Sequence, residues 1–221
     1  MLTPQGADRV ELDVGAQGWP LPVSIVRRAG RWYFDGASGA NELMYRRIGH
    51  KELGAIHVCL GYVGAQIEYA SADRDGKGPG IYAQKLRSDP GMHDGLYWET
   101  APGEPPSPVG PFIAKAAADG YLAALGTNPP YHGYRYRSLY RQTKHAKGGA
   151  HEYFVDGELV NGFALVAWPA QYGASGVMTF IVNQDGVVFQ KDLGTDTASV
   201  VDAMDAFDPD PSWHAVKDAD Q

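Results

Sequence analysis

The chain has 221 residues, 44% of them hydrophobic and 20% charged, with a formal net charge of −7 at pH 7. That is enough chain for one good-sized domain, or a domain with a smaller companion, and the acidic balance argues against a surface built to track phosphates. The single cysteine, Cys59, excludes an internal disulfide and reads as a small buried hydrophobe, because it sits inside an apolar helical pattern.

The first ten residues, MLTPQGADRV, have no basic run followed by an apolar run, so no signal peptide is read there. Val10 to Val14 alternates apolar and acidic residues, the pattern of a half-buried strand. Val23 to Arg28 and Arg31 to Phe34 flank Ala29-Gly30, a hairpin signal. So small a sheet cannot stand alone and must pack on the rest or belong to a larger unit. A helix is expected over Ser38 to Arg47, broken at Gly49. The best helical stripe follows: Leu53, Ile56, Leu60, Val63, Ile67 and Ala70 recur at spacings of three and four, which predicts one buried face.

The glycine-rich run after Ala72 ends that helix. Residues 87 to 111 are dense in proline and glycine and read as a long loop. Pro111 is suited to a first helical position, and Phe112 to Leu125 has helical composition. Strands are predicted from Tyr134 onward. Asp156-Gly157 marks one hairpin turn and Asn183 to Gly186 another. From Leu159 to Gln184 there is no charge, but Pro169 and glycines 162, 173 and 176 interrupt the run, so core strands explain it better than a membrane span. Thr197 to Phe207 reads as a short helix with Val200, Val201, Met204 and Phe207 inward, followed by a loose acidic tail.

These elements predict an α+β fold, with a long amphipathic helix packed on a C-terminal antiparallel sheet. The expected organisation is a β-rich segment over 1–45, the main domain over 46–212 and the tail over 213–221. The strings Arg46 to Gly76, YAQKL, GMHDGLYW, GEPPSPVGP, PYHGYRYR and VNQDGVVFQKDLG resemble the bacterial domain-of-unknown-function family 2950, over roughly residues 20 to 212. Members of that family are typically longer and carry a signal peptide. The resemblance therefore implies an exported, periplasmic or secreted protein whose N-terminal part is absent here. A second resemblance, to type IV pilin and pseudopilin globular domains, implies a plan of long helix, variable loop and antiparallel sheet. It departs from those proteins in lacking the apolar half-helix that builds a filament.

Two constellations invite chemistry. Asp73 and Asp75 stand two apart with Gly76 after them, a spacing from which a tight loop can wrap oxygens around calcium. Lys77 stands where such a loop wants an oxygen and Gln84 where it wants a bidentate carboxylate, so the other reading is a turn. His93, Asp94, Tyr97 and Trp98, with Tyr131, His132 and Tyr134, could form a general base beside aromatics, or a platform for a small molecule or glycan. The alternative is loops pinned by aromatic burial. No serine or cysteine is placed as a nucleophile, and His50 and His57 do not have zinc spacing. The cluster Arg135, Arg137, Arg141, Lys144 and Lys147 reads as an exposed strand and loop. The first expectation is a non-enzymatic envelope protein with a structural or interaction role, with other envelope proteins or glycan as partners. The second is a small-molecule or glycan-binding module, and the third a hydrolase centred on His93 or His132.

Overall fold

The computed structural model describes residues 1–74, 76–101, 103–110 and 130–217. The expected helix over Phe112 to Leu125 lies outside the described residues, as does Asp75. The chain divides into two compact units, Met1–His50 and Lys51–Gln221.

The first unit is a small antiparallel sheet of β1 (Leu2–Pro4), β2 (Arg9–Val14), β3 (Trp19–Pro20), β4 (Ile25–Arg28) and β5 (Arg31–Phe34), in the order β1-β2-β4-β5 with β3 on β2. The β4–β5 hairpin turns on Ala29 and Gly30, both at positive φ (50° and 77°), the two-residue turn that suits twisted strands. Helix α1 (Gly36–Ala70) begins in this unit. Asp35 opens it: its carbonyl accepts the Gly39 amide and its carboxylate accepts the Ser38 hydroxyl. That hydroxyl, with Arg28 and Arg9 nearby, holds the Asp35 carboxyl below its ordinary value.

Helix α1 runs through Gly49 without a break, which corrects the two-helix expectation. A glycine inside a helix costs only about 1 kcal/mol against alanine, less than packing on either side supplies. The apolar stripe is also corrected. Leu53, Leu60 and Ile67 are exposed, while Ala55, Ile56, Cys59, Tyr62, Val63, Gln66 and Tyr69 are buried. The buried stripe is rotated and includes a polar residue, because the backbone of Ala83, beyond the helix, pairs with Gln66 and Ser138 meets Tyr62.

That sheet has five antiparallel strands in the order β16-β15-β14-β13-β8: β8 (Tyr134–Leu139), β13 (Ala164–Pro169), β14 (Met178–Asn183), β15 (Phe189–Asp192) and β16 (His214–Ala215). The Glu52 carboxylate accepts the amides of Val177 and Met178 at 2.9 and 3.0 Å, and Val63 lies near Gly186, so α1 follows β14 along its length. Neighbouring residues on a strand face opposite ways. Ser138 of β8 meets Tyr62 of α1, whereas Arg137 donates to the carbonyls of Val201 and Met204 at the end of α2 (Thr197–Asp202). The sheet is therefore covered on both faces, which is why β13 is buried throughout. In α2, Val201 is buried but Val200 faces outward, contrary to expectation.

The smaller pieces are β6 (Lys85–Arg87) and β7 (Gly95–Tyr97), which pair in parallel, β9 (Arg141–Gln142) with β10 (His151–Glu152), and β11 (Phe154–Val155) with β12 (Glu158–Leu159). Strand β7 lies within the expected loop: Leu96 is fully buried, and Gly95 lets the backbone approach that of Arg87 and Ser88. Asp156 and Gly157, at φ 51° and 85°, make the predicted hairpin turn. The segment expected to be a loose tail begins instead with buried Trp213, after which β16 pairs with β15.

Candidate functional site

The YHGY string is a tight turn. Tyr131 and Tyr134 exchange both backbone hydrogen bonds, at 2.8 and 3.0 Å, around His132 and Gly133, whose φ angles are 51° and 79°. His132 packs its ring on Gly54 of α1, where a Cβ would come within 2.9 Å. Tyr134 is buried, donates to the Met178 carbonyl at 2.9 Å and lies so close to Gly176 that a Cβ there would sit 2.1 Å from its hydroxyl. Burial, then the Glu52 carboxylate, pushes the Tyr134 phenol above its ordinary range, and burial does the same to Tyr136.

The 93–98 loop forms a second cluster. His93 stacks on Trp98 with ring centroids 4.4 Å apart, and the Arg74 guanidinium lies 5.6 Å from the Trp98 ring. The Tyr69 hydroxyl holds the His93 carbonyl at 2.6 Å. Asp94 accepts Lys85 at 2.6 Å and the Asp89 amide at 2.9 Å. Burial raises its pKa, but these bonds outweigh burial and hold the carboxyl below its ordinary value. Tyr97 lies against Arg87. The two clusters are anchored on α1 at Tyr69 and Gly54, about 22 Å apart at 1.5 Å per residue. They therefore form two separate surfaces.

Asp73 accepts the Gly76 amide at 2.7 Å, the bond of a local turn, and Lys77 reaches Glu158 at 2.5 Å. Among the described residues no group of three or more His, Cys, Asp or Glu side chains is placed to hold a metal ion.

A cleft of about 390 Å³ opens on the α2 side of the sheet. Ile181, Leu193 and Met204 line it with apolar surface, and Trp213 lines it too. Arg141 pairs with Asp205 at 2.7 Å, and the Arg141 bond holds the Asp205 carboxyl below its ordinary value. Lys191 donates to Ser212 and lies 5.8 Å from the Trp213 ring. Asp208 accepts both the Thr143 hydroxyl and His145 Nδ1 on one oxygen. That order of bonds does not activate a nucleophile, since the hydroxyl proton already points at a carboxylate and His145 does not receive it. The cleft can hold a small molecule between an apolar floor and paired charges. It was not foreseen from the sequence, because its parts are spread from Arg141 to Trp213. The available signal was Trp213 itself, a large apolar residue in a segment read as a loose tail.

Among the described residues no helix is long and apolar enough to cross a membrane. No curated protein and no solved structure matches the chain, so the pilin resemblance has no matching neighbour. The family described as "Protein of unknown function (DUF2950)" matches residues 1–216, and the chain belongs to that family.

Proposed function

We propose that the protein is a non-enzymatic, exported structural or interaction module of the bacterial cell envelope, periplasmic or secreted. The observation that carries this reading is how the most reactive side chains are engaged. His93 stacks on Trp98, Asp94 ties Lys85 to the Asp89 amide, and Asp208 gathers Thr143 and His145. Each such group fastens a loop rather than facing a reaction partner. The pilin-like plan is supported by α1 lying along an antiparallel sheet, and the exported location by the family resemblance. The test is fractionation of the source bacterium with an antibody to the chain, followed by cross-linking in intact cells. The expected result is recovery outside the cytoplasm in complexes with other envelope proteins. Recovery in the cytoplasm, or with no cross-linked product, refutes the reading.

A second reading, a small-molecule or glycan-binding module, is favoured by the cleft beside Trp213. Apolar surface next to hydrogen-bonding charges is what holds a sugar or a small amphipathic molecule. Calorimetric titration with soluble cell-wall oligosaccharides tests it. Binding heat that disappears in Asp205→Asn supports it, and no heat in the native chain removes it.

A further inference from the structure

We propose that the cleft beside Trp213 takes a small anionic amphiphile, a carboxylate carried on an apolar tail of about eight carbons. The proposal rests on the reading of that cleft as a small-molecule site and names the class of molecule. Volume sets the size. At about 390 Å³, and with about 30 Å³ for a water-sized group, the cleft holds roughly a dozen heavy atoms. The walls call for a tail. Ile181, Leu193, Met204 and Trp213 line the cleft, and so does Val200 of α2, which is 42% exposed. Val200 is thus apolar surface left open on the cleft wall, whereas its neighbour Val201 is packed in the core. A hydrocarbon tail laid along that wall removes the open surface from water.

The charges decide which head group fits. Both carboxylates that line the cleft are engaged by this chain: Asp205 pairs with Arg141 at 2.7 Å, and Asp208 accepts the Thr143 hydroxyl and His145 Nδ1. Arg137 spends its guanidinium on the carbonyls of Val201 and Met204. Lys191 differs. It is half-buried on β15, and its ammonium lies 5.8 Å from the Trp213 ring. Among the described residues its one hydrogen bond goes to the neutral Ser212 hydroxyl, at 2.7 Å, and it forms no ion pair. Asp210 is reached only through that hydroxyl, which donates to it, and Asp210 also accepts the Ser212 amide at 2.8 Å. A half-buried ammonium beside apolar walls gains most from a carboxylate that bonds it directly, because charge-assisted hydrogen bonds are about twice as strong as neutral ones. The head group then sits at Lys191 beside Trp213, and the tail lies against Leu193, Val200 and Met204. A neutral sugar leaves the Lys191 charge unpaired, and a cationic amphiphile is repelled by it.

The experiment is calorimetric titration of the full chain with hexanoate, octanoate, octanol, octylammonium and soluble cell-wall oligosaccharides. Octanoate is expected to bind about tenfold more tightly than octanol, and octylammonium to give no binding heat. Affinity should rise about fourfold for each methylene added from hexanoate to octanoate. Lys191→Met keeps the apolar stem, and is expected to weaken octanoate about tenfold with little change for octanol. Lys191→Arg keeps the charge and retains octanoate binding. Circular dichroism checks that each variant folds, and the ligand series on the native chain decides alone if Lys191→Met does not. Octanol as tight as octanoate, binding of octylammonium, or octanoate binding indifferent to Lys191→Met in a folded variant overturns the proposal. Heat from oligosaccharides without heat from octanoate overturns it too, yet leaves the small-molecule reading of the cleft standing. No heat from any of these ligands removes both.

Discussion

Gln66 is a buried polar side chain in the last turns of α1, and its removal gives a sharp test of how α1 is held. Its amide nitrogen donates to the Ala83 carbonyl at 2.9 Å and to the Tyr62 hydroxyl at 3.0 Å, and its oxygen accepts the Ala83 amide at 2.9 Å. The side chain thus pairs with Ala83 as a neighbouring strand would. Gln66→Met keeps the length of the side chain and most of its volume, so no large cavity term enters. What it leaves behind is one buried N–H and one buried C=O without partners, each costing roughly 1–3 kcal/mol. Relief from burying the glutamine amide offsets part of this, and about 3 kcal/mol of destabilisation is expected. In a unit of this size that corresponds to a fall in Tm of about 6–12 °C. Urea unfolding followed by circular dichroism measures the global loss, and hydrogen exchange at the Ala83 amide reports the local one. Glu68→Ala, on the exposed side of the same helix, is the control and is expected to stay within about 0.5 kcal/mol. A Gln66→Met variant as stable as wild type, with the Ala83 amide still protected, would refute the reasoning.

Gly176→Ala forces a methyl against the Tyr134 hydroxyl and is expected to cost about 1–3 kcal/mol in chemical denaturation; an unchanged midpoint contradicts the close approach. His132→Gly retains the positive-φ turn and should leave stability within about 1 kcal/mol, while His132→Val, strained there, should lose about 1–3 kcal/mol; equal losses would mean that the imidazole matters more than the turn. The Cys59 thiol, pushed up to about 12 by burial, is expected to resist alkylation at pH 8 in the native chain and to react on denaturation. Rapid native-state labelling would contradict that burial. Asp35, Asp94, Asp205 and Asp210 all have folded pKa values below their ordinary 3.8. Their contribution is fully present above about pH 4 and is lost as pH falls through the lowered folded values. Tm should therefore fall as pH is taken below 4, and by less in Asp94→Asn; an unaltered slope in that variant would remove Asp94 from the account.

Local chemistry was readable from the chain wherever one short segment suffices. Two-residue turns need particular backbone angles, so Ala29-Gly30 and Asp156-Gly157 marked their hairpins correctly. A continuous apolar stretch needs burial on both faces, so the uncharged run from Leu159 to Gln184 marked core strands. Order and exact string content were enough for family membership. The readings that failed depend on partners distant in sequence. Which stripe of α1 is buried was decided by Ala83, Ser138 and Val177, not by the helix's own periodicity. Leu53, Leu60 and Ile67 are apolar yet exposed, while Gln66 is polar yet buried because the backbone of Ala83 pairs with its amide.

The candidate site divides in the same way. Residue types alone nominated His93, Asp94 and His132. Only the tertiary structure separated them, anchoring one group at Tyr69 and the other, a tight turn, at Gly54. The cleft at Trp213 was visible in no single segment, since α2, β14, β15 and the segment before β16 each contribute a side chain or two. The sequence by itself determined the two-residue turns, the central strands of the large sheet and the family. The tertiary structure decided which faces are buried, how each charge is partnered and where a cavity lies, because those are properties of surfaces brought together over long chain separations.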